Sequence, residues 1–358
     1  MRMNDHLNNL STPAVVVDLT VAENNIREMA SRAGKCGLNH RPHIKTHRSS
    51  YFAKLQLEKG AAGITCANLG EAIDLGEAGI ANIVIANEVV QPEKLPKVAA
   101  LAQKCRLTLC VDNAENILAL EQAMAQQGGG TLNLLVEYDV GMNRNGVETY
   151  EDFVTLAKLI EAQPHLHFEG IQGYAGHMSH EEDPKKRFDE VQRIEADIVK
   201  LKAYCEENGL TVTEICGGST GFSDDKPTNT VYTQGQFGSY LFMDQSFRPL
   251  NLDFEQALFV ETTVLTVKQD FFVVDCGTKT MTMDSYPPSF AEFPGAKLTM
   301  FEEHTTVWVR DSGLKPGDKL RYIPGHCCTT INIFDKMYAV DGDEVVDTWE
   351  ITSRGKAW

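Results

Sequence analysis

Residues 82–138 read NIVIANEVVQPEKLPKVAALAQKCRLTLCVDNAENILALEQAMAQQGGGTLNLLVEY, and this stretch decides the fold. It holds three short apolar runs, Asn82–Ala86, Leu107–Val111 and Asn133–Tyr138. Between them, Pro92–Lys104 and Asn116–Ala125 carry helical spacing. Strand, helix, strand, helix, strand is the alternation of a parallel α/β sheet. Reading outward, the same rhythm continues in both directions. Strand-like runs precede at Asn39–His43 and Gly63–Cys66 and follow at Phe168–Tyr174, Val212–Cys216 and Gln234–Phe242. Helical spacing recurs at Ala22–Ala33, Leu69–Ala78, Tyr150–Ala162 and Phe188–Asn208. Each run alone is a weak signal, but eight in alternation with helices read as a (β/α)8 barrel.

After about Pro249 the texture changes. Ala257–Val267, Phe271–Asp275, Thr305–Val309, Lys319–Ile323, Lys336–Val340 and Val345–Ile351 are β-type runs broken by Gly, Asp and Pro, with no long helical pattern between them. The fold class expected is α/β, a (β/α)8 barrel over residues 18–248 joined to an all-β domain over 249–358. The strand-like stretch Ala14–Val17, within residues 12–17, is expected to pair with that second domain.

Composition narrows the function. The chain has 358 residues, 33 Lys+Arg against 50 Asp+Glu, and a net charge of −17. Such a chain repels a phosphate backbone, so nucleic acid is excluded as a partner. No apolar run reaches the roughly 18 residues of a spanning helix, and residues 1–13 hold no hydrophobic segment of the kind a secretory signal needs. Nine scattered cysteines suit a reducing cytoplasm better than a disulfide framework.

Three segments carry chemistry. Arg41-Pro-His-Ile-Lys-Thr-His47 follows the first barrel strand, and such barrels place their active sites at the C-terminal ends of the strands, which aims Lys45 at the mouth. A lysine made costly to charge by burial and nearby cations is a Schiff-base nucleophile. Arg41, His43, His47 and Arg48 are the candidate cations; a solvated basic loop is the plainer reading. Gly217-Gly-Ser-Thr-Gly221 ends the seventh strand and Gln236-Phe-Gly-Ser-Tyr240 the eighth. Glycines let backbone approach an anion, and phosphate sites in this architecture follow strands seven and eight. Either run alone is equally well a tight turn. Near the end stands His326-Cys-Cys328. On an extended backbone residues 326 and 328 share a face, and imidazole with thiolate suits Zn²⁺ while leaving positions for water and substrate. Packing is the competing reading for the cysteines. Glu302-Glu-His304 is open between ligand orientation and a surface turn, His177 and His180 read as loop surface, and Trp349 and Trp358 as packing of the β domain.

These segments resemble a known family. Ser11-Thr-Pro-Ala-Val-Val-Val-Asp18, Arg41–His47, Ala86-Asn-Glu-Val-Val90, Cys110-Val-Asp-Asn113, Asp139-Val-Gly-Met-Asn-Arg144, Gly170-Ile-Gln-Gly-Tyr174, Gly217–Gly221, Gly238-Ser-Tyr240 and Pro324-Gly-His-Cys-Cys328 are similar to motifs of the fold-type III pyridoxal-phosphate enzymes that include alanine racemase. Within them the chain resembles the D-threonine aldolase and D-serine dehydratase branch. The resemblance implies Lys45 as the lysine that carries pyridoxal phosphate, Arg144 and Tyr174 beside the ring, and Gly218, Thr220, Gly238 and Ser239 as the phosphate cradle. Gln236 stands where the racemase has an arginine on the pyridine nitrogen, which argues against racemisation. It implies His326 and Cys328 as ligands of a divalent metal, Zn²⁺ first and Mn²⁺ second. The branch reads His-x-Cys in dehydratases and His-x-Asp in bacterial aldolases, so elimination on a D-β-hydroxy amino acid, D-serine dehydratase-like, is the expected activity. Retro-aldol cleavage of D-threonine type, or action on 3-hydroxyaspartate, is the alternative, with a non-catalytic carrier of the cofactor behind both. A homodimer acting on a small D-amino acid is implied as well.

Overall fold

The computed structural model describes residues 5–223 and 230–358, in two compact units. One holds the chain up to Glu28, Thr46–Tyr51 and Ser239–Gly355; the other holds Met29–Lys45, Phe52–Gly238 and Lys356–Trp358. The division at 238/239 falls earlier than the expected 248/249. Hydrogen bonds explain it: the carbonyl of Leu241 accepts from Asn25 Nδ2 and that of Phe242 from the Ala257 amide, both in the first unit.

In chain order the strands begin with β1 (Asp5–His6) and β2 (Ala14–Asp18), then β3 (Asn39–His40), β4 (Ile64–Cys66), β5 (Asn82–Ile85), β6 (Arg106–Val111), β7 (Leu132–Glu137), β8 (Leu166–Gln172), β9 (Glu214–Gly217) and β10 (Gln234–Gly235). The last eight form one parallel sheet in the order β3-β10-β9-β8-β7-β6-β5-β4. Its two ends meet at a parallel bridge between His43 and Thr65, which closes the barrel. Every residue of β7 is buried, as expected of a strand covered by helices outside and by side chains within.

The helices are α1 (Leu19–Lys35), α2 (Ser50–Glu58), α3 (Leu69–Glu77), α4 (Leu95–Ala102), α5 (Ala114–Gln126), α6 (Tyr150–Glu161) and α7 (Pro184–Glu207). Their starts are written in short polar side chains. Asn68 Oδ1 accepts the Glu71 amide and Glu71 Oε2 accepts that of Ala67, a reciprocal capping box on α3. Asn113, Thr149 and Asp183 cap α5, α6 and α7 in the same way. Helix α2 has no counterpart in the sequence reading. Between β9 and β10 the described residues hold a 3-10 turn, Thr220–Phe222, in place of a helix.

The other unit adds β11 (Leu258–Val267), β12 (Phe272–Val274), β13 (Ser289–Phe290), β14 (Lys297–Met300), β15 (Thr305–Trp308), β16 (Lys319–Ile323), β17 (Lys336–Asp341) and β18 (Glu344–Glu350). They run β1-β18-β17-β2-β11-β12-β15-β14, with β16 on β11 and β13. Strand β2 lies antiparallel to β11 and parallel to β17. Its core stacks Phe290 on Tyr322 at 4.1 Å. Helix α8 (Cys327–Ile331) interrupts the β texture. Glu302 and Glu303 are exposed in the turn between β14 and β15, where Lys279 pairs with both, so this segment is a surface turn. Trp349 stacks on Tyr51 within this unit. Trp358 does not: it belongs to the barrel unit, its carbonyl accepts the Gly70 amide, and Lys97 Nζ lies 4.6 Å over its ring.

Candidate active site

The barrel places five sequence segments at the C-terminal ends of five neighbouring strands, β7, β8, β9, β10 and β3. Lys45 follows β3 in a 3-10 turn, half-buried, its amide donating to His43 Nδ1 at 3.4 Å. Its Nζ stands 5.6 Å from the centre of the Tyr174 ring, which follows β8. The guanidinium of Arg144, which follows β7, lies 5.5 Å from the same ring. Two cations beside one aromatic ring create a field favourable to an anionic ligand. Tyr174 in turn shares a hydrogen bond with Ser179 at 3.4 Å.

Of the cations expected around Lys45, Arg41 is not at the mouth. Its guanidinium bonds Asn82 Oδ1 at 2.9 Å and Gln234 Oε1 at 3.4 Å, side chains that open β5 and β10. It fills the opposite end of the barrel, because a buried guanidinium goes where acceptors can satisfy it. Arg48 donates to the Ser353 carbonyl, and His47 Nδ1 accepts the Ser49 amide, both within the β unit. His177 and His180 are exposed.

Arg144 is held by a closed loop. Asp139 Oδ1 accepts the amides of Gly141, Met142 and Asn143, and Val147 returns to bond the Glu137 carbonyl. The Asp-x-Gly-Met-Asn-Arg motif is thus an Asx-type turn whose carboxylate organises the loop. Gly146 permits the return at φ +101, where a Cβ would stand 2.8 Å from the Asp139 amide. Glu137, 4% exposed, pairs with Arg144 at 3.4 Å and feels the charge of the Glu88 carboxyl. Burial and the Glu88 charge push its carboxyl up to about 8. The Ala86–Val90 motif contains Glu88 without a role assigned to it, and Glu137, a lone Glu ending an apolar strand, lies outside every motif.

The glycine turns fit a phosphate. Gly218 has φ +92 with room for no Cβ, since one would meet the Phe237 ring at 2.8 Å. Gly221 is tighter, since a Cβ there would stand 1.8 Å from the Ser179 carbonyl oxygen. Ser219 and Thr220 are buried in the turn, and Ser219 Oγ accepts the Gly221 amide. Gly238 and Ser239 follow β10, Ser239 opening another 3-10 turn. Buried Gln236 makes a reciprocal amide pair with Gln172, at 3.0 and 3.1 Å. Gln236 is therefore a neutral amide held in place by its partner. Gln172 was quoted in the motif ending at Tyr174 but not singled out.

His326 and Cys328 come together, but not by strand alternation. His326 is extended (φ −145°, ψ 117°) and caps α8, and Cys328 lies in that helix's first turn. The imidazole and the Cys328 side chain are close enough to interact across the cap. Asp244, buried, accepts the Cys327 amide at 2.8 Å and fixes the helix start. Cys327 is buried and Cys328 half-buried, its Sγ 3.7 Å from Thr46 Oγ1. Among the described residues no group of three or more His, Cys, Asp or Glu is arranged to hold a metal ion. The donor set is an imidazole–thiol pair, which fits a borderline-soft ion that keeps open positions.

Comparison with known proteins follows the same two parts. The family described as alanine racemase, N-terminal domain, matches residues 17–246, and a serine dehydratase domain family matches 257–340. A D-threonine aldolase from Arthrobacter sp. is 36% identical over 98% of this chain and 94% of its own length. A 3-hydroxy-D-aspartate aldolase from Paracoccus denitrificans is 34% identical over 98% and 93%. A D-threo-3-hydroxyaspartate dehydratase from Delftia sp. is 28% identical over 97% and 99%. Among solved structures, D-threonine aldolase from Filomicrobium marinum superposes with a TM-score of 0.95 at 33% identity, covering 100% of this chain and 99% of that one.

Proposed function

The chain belongs to the alanine racemase N-terminal domain family, and from that premise we propose a pyridoxal-phosphate- and metal-dependent lyase that cleaves the Cα–Cβ bond of a D-3-hydroxy amino acid. The observation that carries the cofactor reading is the convergence of Lys45 and Arg144 on the Tyr174 ring at the barrel mouth. The choice of retro-aldol cleavage over the dehydratase expectation is supported by the aldolase relatives, 34–36% identical over 98% of the chain. A lone-barrel carrier does not account for the second domain at residues 257–340.

In this reading Lys45 would hold the cofactor, Gly218, Thr220, Gly238 and Ser239 would receive its phosphate, and Gln236 would serve its pyridine nitrogen. Pyridoxal phosphate, when bound, draws negative charge from the substrate Cα. Arg144, fixed by Glu137, holds positive charge beside the ring. The Lys45 amine, once substrate takes its place, is the group suited to deliver a proton to Cα. His326 and Cys328 would hold a divalent ion, and such an ion supplies Lewis acidity. The reaction balances simply: the hydroxyl proton leaves, Cα–Cβ breaks with its pair on Cα, an aldehyde departs, and Cα is protonated to give glycine.

A second reading, elimination, is favoured by the His326-x-Cys328 pair itself. There the Cα proton is lost, Cβ–O breaks, and the product hydrolyses to a keto acid and ammonia. One assay separates the two. The holoenzyme with Zn²⁺ or Mn²⁺ is incubated with D-threonine, D-serine and D-threo-3-hydroxyaspartate. Glycine with an aldehyde is the expected outcome; keto acid with ammonia supports elimination; neither product from any of the three defeats the lyase reading.

A further inference from the structure

We propose that Asp284 is a positioning residue for the metal site, fixing the His326 ring so that Nε2 is its donor. The inference rests on the reading of His326 and Cys328 as metal ligands. Asp284 Oδ2 stands 2.8 Å from His326 Nδ1, and its other oxygen, Oδ1, accepts from Thr329 Oγ1 at 2.8 Å. Thr329 is in turn bonded to Thr282 at 2.8 Å. Each carboxylate oxygen therefore has its own partner, and the plane of the carboxylate is set from two sides. Ser285 Oγ approaches the same Nδ1 at 3.4 Å.

This arrangement decides which imidazole nitrogen is available. A ring whose Nδ1–H donates to a carboxylate presents Nε2 as the lone-pair nitrogen. Nε2 is then the nitrogen left for a metal ion, with Cys328 two residues on in the first turn of α8. A carboxylate behind a metal-bound imidazole both holds the ring's orientation and raises its basicity. Thr329 and Cys328 lie on the same short helix, α8. One element thus supplies the thiolate and the hydroxyl that steadies Asp284. Asp284 itself is 42% exposed at its side chain, so it lies outside the buried core and can be replaced without opening a cavity.

The test is zinc affinity, measured by chelator competition on the pyridoxal-phosphate-loaded protein, with total zinc by mass spectrometry after dialysis. Asp284→Ala should weaken zinc roughly 10–100-fold, while the cofactor's visible absorbance and the melting temperature of the metal-free protein stay at wild-type values. Asp284→Asn, which keeps an oxygen acceptor for Nδ1–H but not the charge, should fall between wild type and Asp284→Ala. That graded rescue is something a merely structural role would not produce. His326→Ala is the control for the underlying reading and should lose zinc outright. If His326→Ala keeps wild-type zinc, the metal reading fails. If His326→Ala loses zinc but Asp284→Ala binds it as wild type does, the positioning role is overturned. If Asp284→Asn falls as low as His326→Ala, Asp284 is itself a ligand, and the proposal is overturned in that form.

Discussion

Glu137 ends a strand that otherwise buries only apolar and amide side chains. Burial first, and the Glu88 carboxyl second, raise its pKa from 4.5 to about 8. Asp112 also bears on Glu88, and Arg144 opposes the effect. The consequence for stability has a definite sign. Between 4.5 and about 8 the folded protein binds a proton at Glu137 that the unfolded chain does not. Stability is thus greatest below the unfolded value and declines as pH rises through the folded one. Glu261, raised to about 7 by burial despite Arg321, acts in the same direction. Glu137→Gln removes one titration, so urea unfolding at a series of pH values should show a shallower decline than in wild type. An unchanged slope would mean that Glu137 is ionised when folded. At this scale the sequence was informative where a residue type was rare for its place, as with Lys45 and Asp139. It was silent on Asp284, whose partners lie far along the chain.

Among the elements, α8 differs most from the expectation. Alternation on a strand was expected to bring residues 326 and 328 together, and a helix cap does so instead. Four hydroxyl- or thiol-bearing residues follow His326 before the apolar Ile331, and such side chains satisfy the free amides and carbonyls of a short helix as readily as they line a strand. What settles the conformation is Asp244 on the Cys327 amide, a contact across 83 residues that local pattern cannot hold. The glycine turn after β9 was more legible, because positive φ and close approach leave few residue choices. Gly218→Asp places a side chain against Phe237 and a charge beside the proposed phosphate. Like charges about 4 Å apart repel by ~1 kcal/mol in water and ~4 kcal/mol near a protein surface. Pyridoxal-phosphate affinity should therefore fall at least about tenfold, with the far-ultraviolet circular dichroism retained. Wild-type affinity in this variant would put the cradle elsewhere.

Across the whole molecule, the barrel was readable because its signal is repeated eight times, and each error at a strand end leaves the count intact. The β unit was readable as texture but not as topology. Its central strand, β2, comes from the opposite end of the chain and joins β17 to β11, an arrangement fixed by long-range pairing. The kind of bond cleaved was the least legible property. His326-x-Cys328 pointed to elimination, whereas whole-chain likeness points to an aldolase, since a two-residue ligand pattern describes the ion and not the base that selects the bond. All of it depends on Lys45 carrying the cofactor. The direct measurement is borohydride reduction of the yellow holoenzyme followed by peptide mapping. The account predicts loss of the visible band and a pyridoxyl group on the peptide containing Lys45, with Lys45→Ala colourless after reconstitution. A pyridoxyl group on any other lysine, or a Lys45→Ala protein that keeps the band, would contradict it.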